Sequence, residues 1–203
     1  MAYPKRLKYL IDHLRELPGI GPRQAVRLSY ALAKKDASYL KRFAEDIRAL
    51  SDDIIQCSLC FRMTERHTNT TRCDICLSES RNKNIILVVE KESDVEVFES
   101  SGTYTGLYHV TGGSISPLEK SPGEKLHLRE LFERIKAFKD PSSVEVIVAT
   151  SNTLPGNQTA NYIERILDPL PAKLTRLGRG LSTGAEIEYA DILTLDAALK
   201  NRT

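Results

Sequence analysis

Ile85-Ile86-Leu87-Val88-Val89-Glu90 sets five consecutive apolar residues, four of them β-branched, ahead of a carboxylate. A run this short and this continuous, with no alternation, predicts a strand buried on both faces. The chain on its C-terminal side continues in alternation. Residues 93–100 read as a helix and Leu107–Val110 as a strand. Residues 125–138 read as a helix carrying Leu128, Leu131, Phe132, Ile135 and Phe138 on one face. Val144–Ala149 is a second buried strand, 158–167 a helix, and Lys173–Leu177 a strand. Strands that alternate with helices imply a mostly parallel sheet covered on both sides, an α/β body. No internal repeat or low-complexity segment interrupts it.

On the N-terminal side the pattern is helical. Leu7, Leu10, Ile11, Leu14 and Leu17 recur at helical spacing, so 5–17 is an amphipathic helix that Pro18-Gly19 ends. A second helix starts near Pro22, which suits a first turn, and buries Ala25, Val26, Ser29 and Leu32. A third, from about Ser38 to Leu50, is expected to turn Leu40, Phe43, Ala44, Ile47 and Leu50 inward. Residues 1–50 hold eleven Lys/Arg against five Asp/Glu, whereas 84–203 hold thirteen against seventeen. A basic first quarter on a nearly neutral chain suggests an anionic partner such as nucleic acid there, with a solvated basic surface as the plain alternative. No apolar run approaches the roughly 20 residues that span a bilayer. The N-terminus, charged throughout, does not read as a signal peptide, so a cytoplasmic protein is expected.

All four cysteines fall in two CxxC pairs, Cys57-Ser58-Leu59-Cys60 and Cys73-Asp74-Ile75-Cys76, twelve residues apart. Two-residue spacing lets both sulfurs of a knuckle reach one ion, and two knuckles close a tetrahedral four-sulfur site that suits zinc. Two disulfides, a redox CxxC and an iron–sulfur cluster are the other readings of such cysteines; a reducing compartment argues against the first, and a redox motif would not need a second pair. Four protein sulfurs leave no open position, so the ion would be structural, folding a segment too short to bury a core of its own. His67, between the knuckles, reads as a surface residue.

Leu17-Pro18-Gly19-Ile20-Gly21-Pro22 joins the first two helices. Gly19 and Gly21 permit a tight turn and close backbone approach, and the N–H groups that open the next helix suit phosphate. Arg23 and Arg27 lie four apart on one face of that helix. This is the pattern of a helix-hairpin-helix, which grips the DNA backbone without reading bases; a turn with no ligand is the plain alternative. Lys5, Lys8, Lys34 and Lys35 are further cations whose side the sequence does not fix. In the body, Glu90 ends the first strand and Asp94 follows four residues later, a position suited to a ligand crevice. Such a pair resembles the Toprim fold of topoisomerases and primases, which adds an acidic cluster after a later strand. Here residues 149–158, Ala149-Thr150-Ser151-Asn152-Thr153-Leu154-Pro155-Gly156-Asn157-Gln158, carry no carboxylate. Two oxygen donors make a poor magnesium site, so hydrogen bonding, helix capping or partner contact is the stronger reading for Glu90 and Asp94.

Together these segments resemble the RecR family of recombination mediators over nearly the whole chain. The matching stretches are LPGIGPRQAVRLSYAL at 17–32, the two CxxC pairs, VVEKESDVEVFESSGTYTGLYHVTGGSISPLE at 88–119, ATSNTLPGNQTANYI at 149–163 and GRGLSTGAEIEYADILTL at 178–195. Tyr108-His109-Val110, Gly112-Gly113 and Ile115-Ser116-Pro117-Leu118 are the most diagnostic. The resemblance implies a multi-module α plus α/β chain: a helix-hairpin-helix region at 1–53, a zinc module at 54–79, a Toprim-like domain at 80–172 and a C-terminal segment at 173–203. That last segment resembles a degenerate Walker B motif, with Glu186, Glu188 and Asp191. No GxxxxGK[ST] loop accompanies it, so autonomous ATP hydrolysis is not supported.

The implied function is a non-enzymatic DNA clamp or scaffold, associated with the nucleoid. It assembles as a dimer or tetrameric ring and acts with RecO and RecF to load RecA on SSB-covered single-stranded DNA. Arg23 and Arg27 match the basic residues that line the ring, and Glu90 and Asp94 lie on the face associated with RecO. The family's usual Glu-Gly-Glu is replaced here by Pro155-Gly156-Asn157. A metal-dependent Toprim nuclease or primase, and a zinc-dependent interaction module without DNA, are the rival classes.

Overall fold

A computed structural model describes residues 3–116 and 125–202. The chain divides into two units, Met1–Ile54 and Ile55–Thr203. The first unit is helical: α1 (Lys5–Arg15), α2 (Pro22–Ala33) and α3 (Ala37–Asp53). α1 and α2 pack on each other. Small residues make the approach close, since Ala25 and Ser29 are fully buried on α2 and Ile11 is buried on α1. Asp36 caps α3 by accepting a hydrogen bond from the Tyr39 N–H at 2.8 Å. The expected inward face of α3 is not inward: the helix has no buried residue, and Ile47 and Leu50 are 53% and 60% exposed, with Leu40, Phe43 and Ala44 exposed as well. Helical periodicity shows that a stripe exists, but not that the same chain supplies its cover.

The second unit is built on a four-stranded sheet of β3 (Asn82–Val89), β4 (Gly106–Val110), β5 (Glu145–Ala149) and β6 (Lys173–Arg176), in the order β4-β3-β5-β6 and parallel at every pairing. Two shorter strands, β1 (Ile54–Gln56) and β2 (Met63–Glu65), pair ahead of it. Side chains of β3 alternate between two cores. Ile86 and Val88 pack with Leu131 and Ile135 of α6 (Leu128–Lys136) and with Ala160 and Ile163 of α7 (Leu154–Leu167). Leu87 and Val89 pack with Val95 of α5 (Glu92–Ser101) and with all four cysteines. A short helix, α4 (Asp74–Leu77), carries Cys76, and the C-terminal segment ends in α8 (Ile192–Lys200).

Two helices differ from expectation in length. The one expected over 125–138 is confined to Leu128–Lys136, with Phe138 packing beyond its end. α7 begins at Leu154, not at 158: Thr153 accepts the Gly156 N–H at 3.2 Å, and Pro155 sits in the first turn, where its missing N–H costs nothing. Within the Ile115–Leu118 motif and the 88–119 match, residues 117 onward lie outside the described residues.

His109, in the middle of β4, is fully buried. Its Nε2 lies 2.7 Å from the His127 carbonyl oxygen. A carbonyl only accepts, so Nε2 carries the proton. Burial, reinforced by the Arg134 charge, lowers its pKa from 6.5 to about 3. The folded state therefore refuses a proton that the unfolded chain takes below pH 6.5, and this contribution to stability is lost as pH falls from 6.5 towards 3. By NMR, the His109 ring is expected to keep neutral-form shifts at about pH 4.5; imidazolium shifts there would contradict this burial.

Candidate nucleic-acid interface and metal centre

The turn between α1 and α2 has the features its glycines suggest. Gly19 adopts φ +80°, which L side chains rarely adopt. Gly21 is extended (φ −75°, ψ 168°) and serves as the N-cap of α2 without any side-chain cap. A Cβ at either glycine would meet nothing within 4 Å among the described residues. The first-turn N–H groups of α2 therefore stand uncapped beside open space, a favourable setting for an anion. Arg23 and Arg27 follow on the same helix, both exposed, and the Arg27 Nη2 donates to the Gln24 Oε1 at 2.8 Å, bracing its guanidinium along the helix. Lys34 and Lys35 lie past the other end of α2, roughly 16 Å from Arg23 along the axis, and Lys35 is drawn over the Tyr39 ring at 5.2 Å.

The four cysteine sulfurs lie within 4.8 Å of one another and are buried. All four are free. The Sγ atoms of Cys57 and Cys76 are 3.9 Å apart, and those of Cys60 and Cys73 are 3.6 Å apart. A tetrahedron with metal–sulfur bonds of about 2.3 Å has sulfur–sulfur edges of ~3.8 Å, so the donor set fits an ion of that size. The Cys73 N–H points at the Cys57 sulfur at 3.3 Å. The thiols share hydrogen bonds unequally: Cys57 is pulled far below the usual thiol range, first by Cys60, while Cys60 and Cys76 are pushed up, each first by Cys57. Among the described residues this is the one group of three or more Cys, His, Asp or Glu side chains placed to hold a metal. His67 stands apart, half-buried, with Nε2 at 3.2 Å from an Asp74 carboxylate oxygen.

The knuckles also finish the sheet. β4 is an edge strand, and its outward Val110 N–H donates to the Cys60 carbonyl at 2.8 Å. Phe61 turns the chain just after Cys60 at φ +63° and stacks on His127 with ring centroids 4.1 Å apart. Arg134, from α6, donates to the Tyr108 carbonyl at 2.7 Å and the Leu59 carbonyl at 3.3 Å. The sequence reading missed Arg134. Its spacing from Leu131, three residues on, already put it on the apolar stripe of that helix.

Glu90 and Asp94 are each engaged locally. Glu90, almost fully buried, accepts from the Ser151 hydroxyl at 2.7 Å and the Ser151 N–H at 3.2 Å. Asp94, in the first turn of α5, accepts from the Lys91 N–H at 2.9 Å. Where a second acidic cluster would stand, Ser151 meets Glu90 instead. Gly156 is held there by space: a Cβ would come 2.1 Å from the Ser151 carbonyl oxygen and 3.0 Å from Glu90 Oε1. Asn157 accepts from Arg179 at 2.6 Å.

A helix-hairpin-helix unit, a Toprim-like parallel sheet and a four-cysteine cluster define a class of DNA-binding protein. Family models agree: "RecR, helix-hairpin-helix" matches residues 7–50, "Toprim domain" 84–178 and "RecR, C-terminal" 180–203. The chain is 41% identical over 204 residues to recombination protein RecR of Limosilactobacillus fermentum, covering all of this chain and 99% of that one. It is 39% identical to that of Deinococcus radiodurans, covering all of this chain and 88% of the other, and 40% identical to that of Streptococcus gordonii, covering all and 99%. The chain belongs to the RecR family of recombination proteins, with a DNA-binding helix-hairpin-helix motif and a role in recombinational repair. No helix among the described residues is long and apolar enough to cross a membrane.

Gly156→Ala is expected to destabilise the protein by about 1–3 kcal/mol, since the clash is with backbone that cannot swing away, whereas Gly21→Ala should leave stability within about 0.5 kcal/mol. Denaturant unfolding of the two variants measures both; equal stabilities would refute the packing role of Gly156.

Proposed function

We propose that this chain is a non-enzymatic mediator of recombinational repair that grips DNA through phosphate. Gly19 and Gly21 open the N-terminus of α2, and Arg23 and Arg27 supply the charge. The observation that carries this reading is the uncapped, unobstructed start of α2 followed by two exposed arginines on one helix. Contacts of this kind position a protein on DNA without reading sequence, so single- and double-stranded DNA of any sequence are substrates for binding. Residues 1–53 serve this contact, 54–79 hold the metal, 80–172 form the Toprim-like scaffold, and 173–203 form the C-terminal segment. The chain self-associates to a dimer or tetrameric ring. It acts with RecO and RecF in the cytoplasm, at the nucleoid, to promote RecA loading on SSB-covered single strands.

The metal is zinc, one per chain, held by Cys57, Cys60, Cys73 and Cys76. When bound it supplies cross-linking and no open coordination position. The sulfurs set the knuckles, and the Cys60 carbonyl holds the β4 edge. A catalytic Toprim centre is disfavoured by the carboxylate-free 149–158 segment and by the use of both Glu90 oxygens on Ser151. The RecO contact assigned to Glu90 and Asp94 is then indirect: Glu90 fixes the 150–156 loop and Asp94 fixes the start of α5, and the surface they shape meets the partner. Glu90→Ala should weaken RecO association and leave DNA binding intact. Magnesium- or manganese-dependent plasmid cleavage lost in that variant would favour the enzyme reading.

Arg23→Ala/Arg27→Ala should lower affinity for mixed-sequence DNA by roughly tenfold or more and flatten the salt dependence, which carries a log–log slope of about −0.7 to −0.9 per neutralised phosphate. Parent-like affinity and slope in a fluorescence-anisotropy titration would refute the interface. Cys60→Ser should lose stoichiometric zinc by elemental analysis and lower the thermal midpoint by roughly 10 °C, because metal binding is folding energy at such a site. Iron in the parent, or a parent that is folded without metal, would overturn the zinc assignment.

A further inference from the structure

Among the described residues Arg134 is a buried cation with no carboxylate partner. Its residue is 9% exposed. Nη1 is occupied by the Tyr108 and Leu59 carbonyls, and Nη2, sealed from solvent, has no hydrogen-bond acceptor. The ion pairs of the neighbouring arginines use acids, Arg81 with Glu99 and Arg62 with Glu96, but none of the described ion pairs uses Arg134. An isolated buried charge costs several kcal/mol unless an opposite charge offsets it. Two observations place it beside the cysteine cluster. Leu59, whose carbonyl it holds, lies inside the first knuckle, and Arg134 and Cys76 line the same cavity of about 400 Å³. Burial disfavours its charged form, and the cysteines, Cys76 first and then Cys60 and Cys57, act in the opposite direction. Four thiolates around a divalent ion sum to two negative charges, themselves buried and in want of a cation.

We propose that Arg134 is the counter-cation of the metal–thiolate centre, a positioning residue that raises the centre's affinity for its ion and ties metal loading to the edge of the sheet. The inference rests on the reading of Cys57, Cys60, Cys73 and Cys76 as metal ligands. The guanidinium charge would offset the net negative charge of four thiolates around a divalent ion. The same group bridges the first knuckle and β4 through Leu59 and Tyr108, so the charge of the centre is felt where α6 meets the sheet. Outer partners of metal ligands commonly change affinity by about 10–100-fold.

The test uses the full chain, stripped and reloaded, with zinc affinity read by competition against a chromogenic chelator and the site's electronic state read by cobalt substitution. Arg134→Met should hold zinc about 10–100-fold more weakly and move the sulfur-to-cobalt charge-transfer band to lower energy, since removing a nearby cation raises the sulfur electrons. Arg134→Lys keeps the charge and should stay within about threefold of the parent by the same scale. Arg81→Met disturbs the β4 side of the sheet through Tyr104 and Glu99 without removing the cation beside the cysteine cluster, and should leave both readouts unchanged. Parent-like zinc affinity in Arg134→Met, or equal losses in Arg134→Met and Arg134→Lys, would overturn the proposal. If Arg134→Met does not fold, Arg134→Lys decides alone: retention within threefold supports it and a tenfold loss overturns it. A parent that binds neither zinc nor cobalt would instead sink the ligand reading itself, a result distinguishable from either.

Discussion

Strand β3 carries apolar side chains on both faces of the sheet, and the need to cover both shapes the whole second unit. Ile86 and Val88 point one way and Leu87 and Val89 the other, all at or near zero exposure. Each fully buried aliphatic side chain of this kind contributes about 1.5–3 kcal/mol relative to exposure, so baring the pair on either face would cost about 3–6 kcal/mol, a large share of a domain's net stability. Two helices, α6 and α7, cover the first face. The second receives only α5 from the helical repertoire, and the space that remains is filled by the cysteine knuckles, whose sulfurs share a core with Leu87 and Val89.

That substitution changes what the metal site is for. A knuckle folded on its own would be a detachable accessory. Here Cys60 accepts the Val110 N–H on the edge strand, and Phe61 reaches across to the rings of His109 and His127. An edge strand with free N–H and C=O groups invites pairing with another chain, and here the knuckle takes the Val110 N–H and Arg134 the Tyr108 carbonyl. Knuckle and sheet edge therefore form one cooperative structure, in which an ion held by the four sulfurs would support a strand that contributes no ligand.

Much of this was legible in residue pattern. The continuous Ile85–Val89 run, the alternation that follows it, the CxxC spacing and the Gly19–Gly21 turn are local signals, and each has a short-range cause: pleat, ligand reach, or a backbone angle that glycine tolerates. What was not legible depends on contacts distant in sequence. The stripe on α3 is genuine, but nothing in its periodicity says that its own helical unit leaves it uncovered. Periodicity starts a helix at 158, yet Thr153 caps one that begins at Leu154 and accommodates Pro155 in its first turn. Glu90 looks poised at the end of a strand, and only its meeting with Ser151, sixty-one residues on, shows that its oxygens are already engaged. Arg134 lies on an apolar stripe, and its role depends on sulfurs contributed by another segment.

The contrast between Glu90 and the arginines of α2 bears on chemistry. A catalytic carboxylate site needs several acids held close, unpaired and facing an open cleft, so that divalent ions relieve their mutual repulsion. The Toprim-like body has gone the other way: it buries its strand-end carboxylate, satisfies it with a hydroxyl and an N–H, and puts a glycine where only hydrogen fits beside them. Such a loop is stable without an ion and has little to gain by binding one. At the turn of α2 the polarity is reversed. Backbone N–H groups are left without a cap and two guanidinium groups stand in solvent, an arrangement that gains most when an anion arrives. The internal satisfaction of the acids and the unsatisfied state of the basic turn favour the same division of labour, with the α/β body as scaffold and the helical turn as the surface that engages nucleic acid.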